Sequence, residues 1–115
     1  INSSININPG KIEIIPTGLA LSIPKGFEVQ IRPRSGLAAK NKITVLNTPG
    51  TIDADYRGDI GVILVNLSNE PFTVAPQDRI AQLVIAQYSQ VKWKAVEALP
   101  QSERGQGGFG STGKK

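Results

Sequence analysis

The chain has 115 residues, 13 lysines and arginines against 9 acids, a formal charge of +4, and neither cysteine nor histidine. That length fits one domain with a real core, small enough that a partner subunit would help to stabilise it. Disulfides, thiolate nucleophiles, zinc sites and histidine general bases are excluded, so any metal must be hard and oxygen-ligated. The cations are scattered apart from the closing Lys114-Lys115, a pattern that favours a small anionic ligand over nucleic acid. No run approaches the roughly 20 apolar residues of a membrane helix and no signal-peptide pattern opens the chain, so no membrane partner is expected. The expected compartment is the cytoplasm, or another intracellular one if a targeting segment was removed. Ile1 stands where a methionine would begin, and upstream residues are expected to be missing.

Eight prolines and frequent Val, Ile and Thr cut the chain into short runs without sustained helical periodicity, which predicts an all-β fold. In chain order the predicted strands are Ile5-Asn8, Lys11-Thr17, Leu19-Ile23, Phe27-Pro33, Thr44-Asn47, Gly58-Asn66, Phe72-Val74, Arg79-Gln87 and Lys92-Glu97. Turn signals such as Asn8-Pro9-Gly10, Pro24-Lys25-Gly26, Thr48-Pro49-Gly50 and Asn69-Glu70-Pro71 recur about every 8 to 12 residues, as in a sandwich, barrel or jelly roll. Gly61-Val62-Ile63-Leu64-Val65 is continuously apolar and is expected to be buried on both faces, which again favours subunit packing. The single predicted helix is Ser35-Lys40, with Ser35 as its N-cap. Residues 1–99 are expected to form a β-barrel catalytic domain and residues 100–115 a flexible glycine-rich lid.

Three segments and the tail could carry chemistry. In Arg32-Pro33-Arg34-Ser35-Gly36 a strand runs into a short helix, where Arg34 and Ser35 add donors to the free N–H groups facing an anion. Equally, Ser35 could merely cap the helix with Arg34 in water. The segment from Asn47 to Asp59 packs Asp53, Asp55, Asp59 and Tyr56 between two apolar strands. An EF-hand reading fails there, because Arg57 and Leu64 occupy ligand positions. With no histidine available, a carboxylate is the natural general base, and Asp53, following apolar Ile52, is the best placed for partial burial. In Asp78-Arg79-Ile80-Ala81-Gln82, strand alternation puts the Gln82 amide on the face of Ile80 and Val84, where it needs a partner in backbone or ligand. Finally, Arg104 to Lys115 holds five of the twelve glycines around one arginine and Phe109. Such a segment cannot order alone, and a strap closing on a ligand would use the ring to stack and the guanidinium to grip. Its G-x-x-x-x-G-K pattern is no P-loop, since Lys115 follows where Ser or Thr belongs and no strand precedes it.

Taken in order, Arg34-Ser35-Gly36, Asn47 through Gly58, Asp78 through Gln82 and Arg104 through Gly113 resemble four of the five motifs of the trimeric dUTPases, with Pro16-Thr17-Gly18-Leu19 a further similar stretch. The first motif, Gly-x-Asp-Leu, is absent and is expected just upstream of Ile1. The resemblance implies a jelly-roll-like β-clip subunit, a homotrimer with sites shared among three chains, and Mg²⁺-assisted hydrolysis of dUTP to dUMP and pyrophosphate. It implies that Asp53 deprotonates the attacking water, that Asn47, Thr51, Ile52 and Gly61 line the uracil slot, and that Tyr56 packs under the deoxyribose and rejects a 2'-hydroxyl. Arg34, Ser35 and Gly36 would hold the phosphates with Gln82 near the α-phosphate; Arg104 would reach the γ-phosphate while Phe109 stacks on uracil and Gly110 and Ser111 close over the chain. Mg²⁺ would be held by substrate phosphates and water, without a protein ligand cage. The alternatives are a dCTP deaminase-like enzyme of the same β-fold and a nucleotide-binding trimer without turnover.

Overall fold

The computed structural model describes residues 1–110 and 113. Eight strands lie among them: β1 (Ile5–Ile7), β2 (Ile12–Pro16), β3 (Phe27–Pro33), β4 (Ile43–Val45), β5 (Gly50–Ile52), β6 (Gly61–Asn66), β7 (Phe72–Val74) and β8 (Ala81–Gln87). They form three sheets, ordered β1-β7, β2-β6-β4 and β5-β3-β8, and every pairing is antiparallel. With one five-residue helical turn between β3 and β4, the chain is all-β as its composition predicts.

Alternation in β3 shows why the sheets close on one another. Val29 and Ile31 are buried, while Glu28, Gln30 and Arg32 point to the opposite face of the strand. Val29 is paired with Ile52 of β5, and Ile31 with Gly50. From the second sheet come Ile15 of β2, Val62 and Leu64 of β6, and Val45 of β4; all of these join one core with Ile7 and Val74. The apolar run of β6 is accordingly the central strand of its sheet, with Val62, Leu64 and Val65 buried and Ile63 half-buried.

Asn66 closes β6 and is completely buried. Its amide donates to the Ile7 and Glu70 carbonyls, both at 2.8 Å, and its oxygen accepts from the Ser68 N–H and hydroxyl at 2.9 and 2.7 Å. All of the bonds an amide can readily make are thus made, and the side chain ties β1 to the turn before β7.

Several elements differ from expectation. Leu19–Ile23 forms no strand, although Ile23 is buried; Ile60 bonds Leu19 at a single point, N–H to carbonyl at 2.8 Å, with Thr17 N–H on the Ile60 carbonyl at 3.0 Å. Its apolar alternation reflects burial of one side without a ladder. Lys92–Glu97 also forms no strand, and no strand among the described residues pairs with it. Gly50–Ile52, read as a turn and site loop, is a strand, because β3 offers its edge there. The helix over Ser35–Lys40 is a turn whose π-helical part spans Leu37–Asn41. Ser35 does not cap it: the first bond runs from Ala38 N–H to the Arg34 carbonyl at 3.0 Å, and the N-cap is Gly36, without a side-chain capping bond.

Beyond β8 the chain leaves the body. Its last tie is Tyr88 N–H to the Gly26 carbonyl at 3.1 Å. Val91, Trp93 and Leu99 then stand 72, 92 and 82% exposed. The radius of gyration, 19.3 Å, well exceeds the about 13 Å of a compact domain of this length. No helix among the described residues is long and apolar enough to cross a membrane.

Candidate active site

The β5 strand ends at buried Ile52, and the chain turns at once, with Tyr56 N–H on the Asp53 carbonyl at 3.1 Å. Arg57 folds back on this turn and donates to the Ala54 and Tyr56 carbonyls at 2.6 and 3.3 Å. The Tyr56 hydroxyl donates to the Asp59 carbonyl at 2.8 Å. Between this turn and the start of β6 lies a cleft of about 220 Å³, whose lining includes Asn47, Thr51, Ile52, Asp53, Tyr56 and Gly61. Gly50 lets the cleft close at its back, since a Cβ there would stand 3.2 Å from Asn47 Nδ2 and 3.3 Å from Ile31 Cβ. Six residues expected to handle base, sugar and water therefore share one cavity. Asp53 is exposed in the single chain, contrary to the partial burial expected from its apolar neighbour. Ile52 turns into the core, and strand alternation sends the next side chain outward.

A second, larger groove of about 650 Å³ runs along the first half of β8 and is lined by Arg34 and Gln82, together with Thr17, Leu19, Ile60 and Ile80. Register explains why Arg34 and Gln82 meet there: Arg32 is opposite Gln82 and Pro33 opposite Ala81, so Arg34 emerges beside β8. Arg34 Nη1 donates to the Arg79 carbonyl at 2.8 Å, and Gln82 Nε2 reaches the Pro33 carbonyl at 3.4 Å. Gln82 thus finds its partner in backbone, and it is exposed. Ile60 borders both cavities. Ser35 and Gly36 line neither cavity and are exposed on the helical turn.

The tail is separate from both. Arg104 Nε donates to the Gly107 carbonyl at 2.6 Å, Phe109 is fully exposed, and Gly110 takes a positive φ of 88°. Ser111 lies outside the described residues.

Residues 1–113 match the dUTPase family model. The chain belongs to the dUTPase family. It is 60% identical over 109 residues to the deoxyuridine 5'-triphosphate nucleotidohydrolase of Rickettsia bellii, covering 95% of this chain and 73% of that protein. Against the Rickettsia prowazekii enzyme of the same name it is 57% identical over 110 residues, covering 96% and 74%. Among solved structures, a variant of the Staphylococcus bacteriophage 80alpha dUTPase with dUpNHpp superposes with a TM-score of 0.88 at 27% identity, over 96% of this chain and 81% of that one. Another structure of that phage dUTPase with dUpNHpp gives 0.84 at 30% identity, over 98% and 83%.

Within this dUTPase chain the described motif residues fall into four places: the small cleft, the groove beside β8, the exposed helical turn that carries Ser35 and Gly36, and the outlying tail. Sequence reading missed the residues that shape the cleft from behind. Ile31 and Ile60 wall it, Arg57 braces its turn, and Gly58 lies against the Tyr56 ring. The sequence offers Arg57 only as a residue that spoils a metal loop, and Gly58 only as the edge of a strand and of a motif. Their sequence signal was the Tyr-Arg-Gly run between two carboxylates, which marks a tight turn.

Proposed function

We propose that the chain hydrolyses dUTP to dUMP and pyrophosphate as one subunit of a homotrimer, in the cytoplasm, where free nucleotides are found. The observation that carries this reading is the gathering of Asn47, Thr51, Asp53 and Tyr56 around one cleft, in a chain 60% identical to a deoxyuridine 5'-triphosphate nucleotidohydrolase.

In the proposed mechanism uracil enters the cleft. Asn47 and the backbone of Thr51 and Ile52 pair with its polar edge, Gly61 leaves room, and the Tyr56 ring floors the deoxyribose. A base with the wrong donor pattern leaves these groups unpaired, which disfavours it strongly. Asp53 accepts a proton from water as the water oxygen bonds to the α-phosphorus. The bond from that phosphorus to the bridging oxygen breaks, and pyrophosphate leaves with the electron pair. Arg34, Ser35, Gly36 and Gln82 of a second subunit donate to the phosphate oxygens as charge moves onto them. Arg104 and Phe109 of a third bring the γ-phosphate and the base under Gly110 and Ser111.

Mg²⁺ bound with the triphosphate neutralises part of its charge. A hard cation of this kind would be held through phosphate oxygens and water. The trimer is supported by the arm, whose Trp93 and Leu99 are left uncovered by their own chain, and by the separation of Arg104 from both cavities. A catalytic site collected from several subunits explains both.

The test is to incubate the protein separately with dUTP and dCTP and to quantify pyrophosphate and ammonia. Pyrophosphate from dUTP without ammonia is expected. Ammonia from dCTP would assign a deaminase, and tight dUTP binding without turnover would assign a non-catalytic trimer.

A further inference from the structure

Glycine normally earns its place by adopting a positive φ, and six glycines of this chain do so. Gly58 does not. Its φ lies outside the left-handed range, yet a Cβ built there would stand 2.5 Å from Tyr56 Oη, 2.7 Å from Cζ and 3.1 Å from Cε1. What Gly58 provides is space, and the Tyr56 ring occupies it.

That ring has few other restraints. Tyr56 is 47% exposed, so burial does not hold it. Its hydroxyl donates to the Asp59 carbonyl at 2.8 Å, one residue past the glycine. Arg57, between the two, has its guanidinium on the Ala54 and Tyr56 carbonyls, which keeps the turn from opening. The hydroxyl end of the ring is thus seated against Gly58, and Tyr56 also lines the cleft. Ordinary carbon contacts lie at 3.4 Å or beyond. An added methyl group must therefore push the ring by about 1 Å, either out into water or into the cleft; a misplacement of that size near a reacting substrate is worth about 10²-fold in rate.

We propose that Gly58 is a positioning residue that sets selectivity for the 2'-deoxy sugar by seating the Tyr56 ring at a fixed depth in the cleft. The proposal rests on the dUTP reading given above. Gly58 touches no substrate itself; it acts through the tyrosine. On that reading the seated ring excludes a 2'-hydroxyl, and a ring displaced outward would admit one.

The test compares wild type, Gly58→Ala, Tyr56→Phe, Tyr56→Ala and the double variant Gly58→Ala/Tyr56→Ala, with kcat/KM measured for dUTP and UTP and thermal unfolding recorded for each. Absence of dUTP turnover in the wild type would defeat the functional reading itself, before Gly58 is considered. With turnover present, Gly58→Ala is expected to lower the dUTP-to-UTP preference about tenfold or more while its unfolding midpoint stays close to wild type. Tyr56→Phe, which keeps the ring and loses the hydroxyl, is expected to retain most of the preference. In the Tyr56→Ala background the glycine substitution is expected to change nothing further. An unaltered preference in Gly58→Ala overturns the proposal, as does an equal loss from Gly58→Ala with and without the tyrosine. If Gly58→Ala does not fold, the double variant decides: restored folding locates the clash at the ring, and failure of both refutes it.

Discussion

At the end of β5 two adjacent side chains part company: Ile52 enters the core and Asp53 enters the cleft. This makes Asp53 separable from stability, since it buries nothing and its removal leaves the strand intact. Asp53→Asn is expected to lower kcat for dUTP by about 10²-fold or more with KM little altered, because a base acts in the transition state; stopped-time pyrophosphate release checks it, and an unchanged kcat would remove Asp53 from the chemistry. Asn66 is the opposite kind of residue. Its amide makes four hydrogen bonds inside the fold, so Asn66→Ala is expected to cost about 2 to 4 kcal/mol by removing the buried bond to the Ile7 carbonyl and the acceptor of the Ser68 N–H. Urea unfolding measures this, and a loss below the about 0.5 kcal/mol of ordinary surface changes would contradict it. Of these two residues sequence reading found the first. A carboxylate among turn residues announces chemistry by its type, whereas a buried asparagine is recognisable only by the carbonyls that surround it.

Among the elements, strands with strict alternation and a bounding turn signal were legible: β3 was read to its observed ends, and β7 likewise. Leu19–Ile23 misled because alternation records burial, and a segment can bury Ile23 against a sheet edge without joining it. β5 was hidden for the converse reason, since three residues beside a proline carry too little pattern to betray pairing with β3. The helical turn over Leu37–Asn41 ends on Lys42 at φ 57°, a left-handed conformation that glycine adopts without strain. Lys42→Gly is therefore expected to raise stability by about 0.5 to 1 kcal/mol and to leave dUTP turnover as it was. Denaturant titration tests the gain, and a destabilised variant would show that the Lys42 side chain contributes more than its backbone strain costs.

For the whole molecule the decisive fact is the chain that leaves it. After Tyr88 every residue through Gln106 is exposed, and the long arm accounts for the 57 Å longest dimension. An apolar arm of this kind is stable when another subunit covers it, and the proposed trimer supplies that cover. Removing residues 104–115 is expected to leave an assembled trimer by light scattering while kcat/KM for dUTP falls steeply, since residues 104–110 join no core cluster and the role proposed for the tail is closure. Assembly lost on that deletion would mean that the tail holds subunits together.

The amino-acid order alone determined the chemical inventory: no histidine or cysteine, carboxylates and arginines as the charged groups on offer, a glycine-laden tail, and an all-β body written in short apolar runs. These are properties of residue type and local spacing, which need no partner to be read. Only tertiary structure decided that Asn47, Thr51, Asp53 and Tyr56 share a cleft while Arg34 and Gln82 line a groove beyond Ile60, and that Gly58 is there to make room for a ring. Such facts depend on register between distant strands and on angstrom-scale contact, and neither is encoded in any single window of the chain.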